Sequence, residues 1–406
     1  MSNTQKTNYK IKDRTLLGIL IFCICISFSS CHGQVRAGIC GKIQPDHAFR
    51  NKVYLILPHH FSEIAADYLG QVIDSAEIKK GGSFEFQHIP IFPCKKLMLL
   101  MVQKKEVRFP NHLDDEIPSD ANYMPFVLSK NEQLTFNADI THFQKSFSII
   151  NLSNENKSLI LLRGIRMSAF NKFLNQNVIE GEEDSLLLER EKTHRNFVTE
   201  LMNFADSTKS IEAALVSIRW INPTGDFERY PEFLIRQCEM WSSIDSQNNF
   251  VKELCIAADR NKLPVVIGDL VPDFSFPMEN GDTSMMSDLL GDSLTIIDIW
   301  ASWCAPCRKE NRTVLAPLYA KYNDKGFQIL GYSIDSNADA WKEGIAKDGV
   351  IWPQASHLAG DSSPFLEALR MTTIPANFIL DPNGKIIAKN LFGEDLSAFV
   401  SEYFRR

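Results

Sequence analysis

Two cysteines three positions apart, Cys304 and Cys307, lie in the segment WASWCAPCRKE at residues 300–310. A pair at this spacing can hold a metal, staple a turn, or cycle between dithiol and disulfide. Structural zinc takes four ligands, ordinarily from two such pairs, and this chain has one. A permanent bridge closing so small a loop would restrict the unfolded chain little. Redox cycling remains. Cys304 follows an apolar strand and opens a helix, where backbone N–H groups and the helix dipole favour a thiolate. That makes Cys304 the attacking sulfur, and Cys307, nearly one turn on, the sulfur that resolves a mixed disulfide. Pro306 falls in the first helical turn, where its missing N–H costs little. Trp300 and Trp303 precede the pair, either as cover for the site or as core.

A resolving thiol must lose its proton. Asp298 stands six residues before Cys304, among Ile296, Ile297 and Ile299. A lone aspartate in such a strand is costly unless it serves a purpose. Burial would raise its pKa and make it a proton acceptor near neutrality; the alternative is a solvated aspartate facing an edge. Glu310, three residues past Cys307, could exchange the same proton or be a surface glutamate favoured by the helix N-terminus. Thr373, Ile374 and Pro375 precede the strand ANFIL. A cis bond before Pro375 would make a tight turn at which Ile374 offers backbone groups to an extended substrate segment. A trans proline in a plain loop is the alternative.

These residues need a frame. From 263 onward, TIIDIWA (295–301) and FQILGYSID read as strands, with helices over APCRKENRTVLAPLYAKYN, NADAWKEGIAKDG and SPFLEALR. ANFIL and KIIAK form a hairpin about Asp381-Pro382-Asn383-Gly384, and EDLSAFVSEYF closes as a helix. Strands alternating with helices, then a hairpin, predict an α/β sheet. Residues 37–150 read instead as short strands, such as VYLILP (53–58), SFEFQ (83–87) and KLMLLMV (96–102), in a β-sandwich-like domain. The acidic stretch NHLDDEIPSDAN (111–122) reads as a solvated loop, because Asp114, Asp115 and Glu116 lack the alternating spacing of a calcium loop. Residues 151–262 turn helical: Leu187, His194, Phe197, Val198, Leu201 and Phe204 recur at helical steps, as do Ile211, Ala214, Leu215 and Ile218. These stripes read as core, and nothing among them looks catalytic.

With 406 residues the chain has room for two or three domains. Its net charge of −7 and its lack of a basic block speak against a nucleic-acid partner. At the N-terminus, Lys6, Lys10, Lys12 and Arg14 precede the apolar run LLGILIFCICISF (16–28), then Ser29, Ser30 and Cys31. This is the pattern of a secretory signal peptide over 1–30, too short to span a bilayer comfortably. FSSC resembles a bacterial lipobox, although Phe28 stands where an aliphatic residue is preferred; the resemblance implies lipidation of Cys31 and a lipoprotein anchor. Export permits disulfides. Cys238 and Cys255 could be bridged or remain buried free thiols.

Residues 263–406 resemble a thioredoxin-fold domain of the TlpA/ResA-like family of membrane-tethered periplasmic thiol–disulfide oxidoreductases. The likeness rests on VPDF (271–274), WASWCAPCRKE and TTIP (372–375). It implies that Asp298 is the buried aspartate of thioredoxins, Glu310 an active-site glutamate and Pro375 the cis-proline. It also implies disulfide-bearing protein substrates, a membrane electron donor, and roles such as cytochrome c maturation or thiol maintenance. No metal or other cofactor is expected. Ala305-Pro306 lacks the histidine of strongly oxidising relatives, which favours a reductase. Residues 37–150 are similar to the uncharacterised β-rich domain found before such thioredoxin domains, on VIDSAEIKKGGSFEF (72–86). Two other functions compete. One is a peroxiredoxin-like peroxidase, against which Ile297 and Ala301 stand where its Pro-x-x-x-Thr-x-x-Cys frame needs proline and threonine. The other is a binding module, in which the first 262 residues capture a protein or glycan.

Overall fold

A computed structural model describes residues 37–115, 117–175 and 183–405, without side chains for 183–188. The signal segment 1–30, Cys31 and Glu116 lie outside the described residues. Among the described residues no helix is long and apolar enough to cross a membrane.

Eight strands open the described chain: β1 (Gly38–Gln44), β2 (Phe49–Leu57), β3 (Gln71–Glu77), β4 (Ser83–Glu85), β5 (Lys96–Lys104), β6 (Tyr123–Leu128), β7 (Gln133–Asp139) and β8 (Ser148–Ile150). They form two four-stranded sheets, ordered β4-β1-β7-β8 and β3-β2-β5-β6. The second is antiparallel throughout, whereas β1 and β7 of the first pair in parallel. A continuous apolar run makes β5 an inner strand, and all but its terminal lysines are buried. At the edge strand β6, the buried Asn156 amide substitutes for a neighbour: it donates to the Val127 carbonyl at 2.9 Å and accepts its N–H at 2.8 Å.

The helices that follow α1 (Phe143–Ser146) are α2 (Asn154–Ala169), α3 (Glu183–Ser207), α4 (Ile211–Ile221), α5 (Pro231–Ile244) and α6 (Asn249–Ala257). Side chains of Ser153, Ser210 and Asn248 cap α2, α4 and α6, and Pro231 opens α5. Their apolar faces and those of the two sheets form one buried cluster, from Ile39 to Leu263. Cys238 and Cys255, whose state the sequence left open, are bridged and tie α5 to α6.

The acidic stretch is not simply solvated. The Asp115 side chain is only 8% exposed and pairs through both oxygens with Arg166 of α2, at 2.6 and 2.8 Å. The guanidinium lies over the Trp220 ring at 4.6 Å, and the Trp220 indole donates to the Tyr123 hydroxyl. The solvated reading fails at Asp115 because its cation comes from another element.

The C-terminal region has the expected alternation. A hairpin of β9 (Ser275–Pro277) and β10 (Thr283–Met285) precedes β11 (Leu294–Trp300), α7 (Ala305–Glu310), α8 (Ala316–Tyr322), β12 (Phe327–Ser333), α9 (Ala338–Asp348) and β13 (Gln354–Ala355). Then come α10 (Pro364–Leu369), β14 (Ala376–Leu380), β15 (Ile386–Lys389) and α11 (Gly393–Tyr403). The five-stranded sheet runs β13-β12-β11-β14-β15, with β14 and β15 antiparallel to their neighbours. Between them Asp381 accepts the N–H groups of Asn383 and Lys385, and Gly384 takes the left-handed conformation. The helix predicted to run unbroken after Cys304 is interrupted by a π segment, Asn311–Leu315. Pro317 has no N–H to give the Thr313 carbonyl, and the ladder shifts there.

Replacing Asp115 with asparagine leaves the Arg166 charge buried without its counterion. We expect a loss of about 3–5 kcal/mol, read as a lower urea midpoint at an unchanged slope. Asp115→Leu combined with Arg166→Met should recover most of it; a double variant as unstable as the single one would refute this account.

Candidate active site

The site grows from the carboxyl end of β11. Every residue of this strand is buried, because it lies between β12 and β14 with both faces covered. Its side chains alternate between the two faces. Ile297 and Ile299 join the apolar cluster that includes Cys304 and Cys307. Leu294 and Ile296 join another, with Val314, Leu315 and Leu318 of the helical segment after the cysteines and Leu396 and Val400 of α11. Parity therefore sets Asp298 on the face of Leu294 and Ile296. Asp298 is 3% exposed, and its Oδ2 has no hydrogen-bond partner among the described residues. Burial pushes its carboxyl well above the usual carboxylate range, and the Glu310 charge pushes it further. Glu310, also 3% exposed, is raised by burial, partly offset by the Gly393 N–H that donates to its Oε1 at 2.9 Å. Neither carboxylate takes the solvated alternative.

Cys304 is the N-cap of α7, and its Sγ accepts the Cys307 N–H at 3.3 Å. The two sulfurs are bridged. Cys304 is 6% exposed and Cys307 1%, so the first sulfur is the one a large partner can approach. Two further carboxylates brace the loop that carries them. Asp335, after β12, accepts the Ser302 N–H at 2.8 Å and hydroxyl at 2.6 Å. Asp348, at the end of α9, takes the Arg308 and Arg312 guanidinium groups, while Arg308 also donates to the Ser302 carbonyl. Such charge-assisted bonds fix the position of the turn.

The register between β11 and β14 ends at Ile299 opposite Ala376. The segments leaving these strands, 300–304 and 372–375, therefore emerge side by side. The Ile374–Pro375 bond is cis, and Ile374 packs half-buried against the cluster holding both cysteines. A cysteine pair beside a backbone turn, with buried carboxyl groups on the strand before it and the helix after it, can exchange disulfides and move protons.

Comparisons with known proteins agree with this chemistry. Residues 267–389 match the AhpC/TSA family. The thiol-disulfide oxidoreductase ResA of Bacillus thuringiensis subsp. konkukian is 26% identical over 140 residues, 34% of this chain and 78% of that protein. ResA of Bacillus subtilis (strain 168) is 25% identical over 136 residues, 34% of this chain and 73% of that one. A solved thiol-disulfide oxidoreductase from Bacteroides fragilis is 33% identical and covers 33% of this chain and 98% of that one, with a TM-score of 0.31. Residues 267–389 thus carry a thioredoxin-like AhpC/TSA domain, and the C-terminal region is similar to the ResA thiol–disulfide oxidoreductases.

In this oxidoreductase the expected site residues gather at one end of the sheet, with one division among the tryptophans. Trp303 is 64% exposed beside Cys304, whereas Trp300 is core and donates its indole N–H to Gln354 at 3.0 Å. Sequence reasoning missed Asp335 and Asp348. Polar residues clustered at the carboxyl end of an apolar strand, as in Ser333-Ile334-Asp335, are a usable signal for the first. Asp348 gives no local signal.

The buried carboxyl of Asp298 makes stability depend on pH. In the unfolded chain it titrates near 3.8 and in the folded oxidoreductase well above that. Between these values the folded state keeps a proton that the unfolded state has lost, so this group's contribution declines as pH rises. Asp298→Asn should match the wild type below the ordinary carboxylate range and exceed it increasingly toward neutral pH, in urea unfolding. A difference that stays constant with pH would refute the buried, raised carboxyl.

Proposed function

We propose that this chain is an exported, lipid-anchored reductase of protein disulfides. The observation that carries the reading is the N-cap position of Cys304, with the Cys307 N–H on its Sγ and bridged to it. Reduced Cys304 attacks one sulfur of a substrate disulfide as the thiolate. The Cys304–substrate bond forms, the substrate S–S bond breaks, and the departing sulfur takes up a proton. Cys307 then gives its proton to the carboxylate form of Asp298 or Glu310 and attacks Cys304 Sγ. The mixed disulfide breaks, the second substrate thiol leaves, and the pair remains oxidised. Two electrons and two protons from a membrane donor restore the dithiol. Trp303, Ile374 and the cis Pro375 form the face on which the substrate lies, its extended segment pairing with the Ile374 backbone.

In this reading residues 1–30 are removed on export, Cys31 carries the lipid, and the protein faces the periplasm. Residues 37–150 form a sandwich-like domain, 151–262 a helical region, and 263–406 the redox domain. The substrates in this reading are protein disulfides, with cytochrome c maturation or general thiol maintenance as the roles served. A peroxidase is disfavoured because Ile297 and Ala301 occupy the positions where that chemistry needs proline and threonine.

The reduction potential of the Cys304–Cys307 pair tests the proposal, by equilibration in dithiothreitol or glutathione buffers and alkylation of free thiols. A value near −270 mV, about that of thioredoxin, is expected. A value near about −120 mV would reverse the direction of transfer, and the absence of a reversible two-electron step would end the redox reading. Cys307→Ser should accumulate a mixed disulfide with substrate, whereas Cys304→Ser should form none.

A further inference from the structure

The turn between β14 and the preceding helix is not held by the redox domain alone. The Glu228 carboxylate, from the loop between α4 and α5, accepts three hydrogen bonds from it: Thr372 N–H at 3.0 Å, Thr372 hydroxyl at 2.9 Å and Thr373 N–H at 2.7 Å. Arg229, the next residue, donates to the Pro375 carbonyl at 2.8 Å. Two adjacent side chains of opposite charge thus grip the turn on both sides of Ile374, across about 145 residues of sequence. The N–H groups of 372 and 373 and the carbonyl of 375 are committed to this grip. The backbone of Ile374, between the anchored points, is left to meet an incoming strand.

We propose that Glu228 and Arg229 are positioning residues for protein substrates: they fix the 372–375 turn in the form that accepts an extended peptide. The helical region thereby sets recognition of protein disulfides without taking part in sulfur chemistry. This rests on the reading of the Cys304–Cys307 pair as a disulfide reductase. A small disulfide needs only access to Cys304, whereas a protein disulfide must also lay its chain along the turn. The two substrate types should therefore respond differently to loss of the grip. The helical region stays docked without it, because Arg195 donates to the Asn390 carbonyl at 2.9 Å and Glu232 pairs with Lys389 at 3.0 Å.

The test uses the full chain, pre-reduced, with Glu228→Gln and Arg229→Ala made singly and together. Second-order rate constants are measured for insulin, a protein disulfide, and for glutathione disulfide, and the reduction potential is measured for each variant. We expect the insulin rate to fall about tenfold or more in the double variant, with glutathione disulfide within about twofold and the potential unmoved. An unchanged insulin rate overturns the inference. Equal losses with both disulfides, or a shifted potential, also overturn it, because the pair would then act on the redox centre or on folding. A wild-type chain inactive toward both probes would overturn the reductase reading itself, and this inference with it.

Discussion

An aspartate in the middle of an apolar strand must find a cation, find hydrogen-bond donors, or hold its proton. Asp298 lies in the central strand of the five-stranded sheet, and its Oδ2 meets no partner among the described residues. Its nearest charged influence is another carboxyl group, Glu310. The free-energy cost of that burial constrains what surrounds it. The strand must be inner and covered on both faces, or water would solvate the group. The helix after Cys304 must lie over that face, and α11 must close beside it, where the Gly393 N–H meets Glu310.

The rest of the chain is built on a different electrostatic choice. The side chains of Asp115 and Arg166 are also largely withdrawn from water, but each satisfies the other, and the pair joins the strand region to α2. A complete ion pair of this kind fixes how two elements meet. A buried carboxyl group with no cation, as at Asp298, is left able to change its charge. The two aspartates therefore differ in consequence because of what faces them: a guanidinium at Asp115 and another carboxyl group at Asp298.

Much of this was readable in the sequence. The apolar run around Asp298, the cysteine spacing and the proline before ANFIL are local patterns, and the structure sets them at one end of one sheet. The strands of residues 37–150 were legible where apolar residues run on, as in β5, and less so in β1 and β3, which mix polar residues throughout. The π segment had a visible cause in Pro317 that helical periodicity overrode. What stayed hidden depends on distant partners. Arg166 lies 51 residues from Asp115, and no spacing rule links them. Cys238 and Cys255 could not be paired before the packing of α5 on α6 was known. Glu228 and Arg229 stand in a segment that looked like a mere break between helices.

The bridge between α5 and α6 has a consequence for how the molecule comes into being. Its formation consumes an oxidant, as does any new S–S bond, yet the C-terminal pair exchanges electrons with other proteins. One chain thus carries a bond that ties two helices together and a bond that, in the proposed cycle, is broken repeatedly. Cys238 and Cys255 are only half-buried, in a segment packed against the main core, so their protection from thiol attack comes from helix packing rather than from complete enclosure. In the proposed reductase cycle maturation therefore precedes service: the helical region is sealed by oxidation before the chain meets its reductant, or the current that recharges Cys304 and Cys307 would keep that seal from closing.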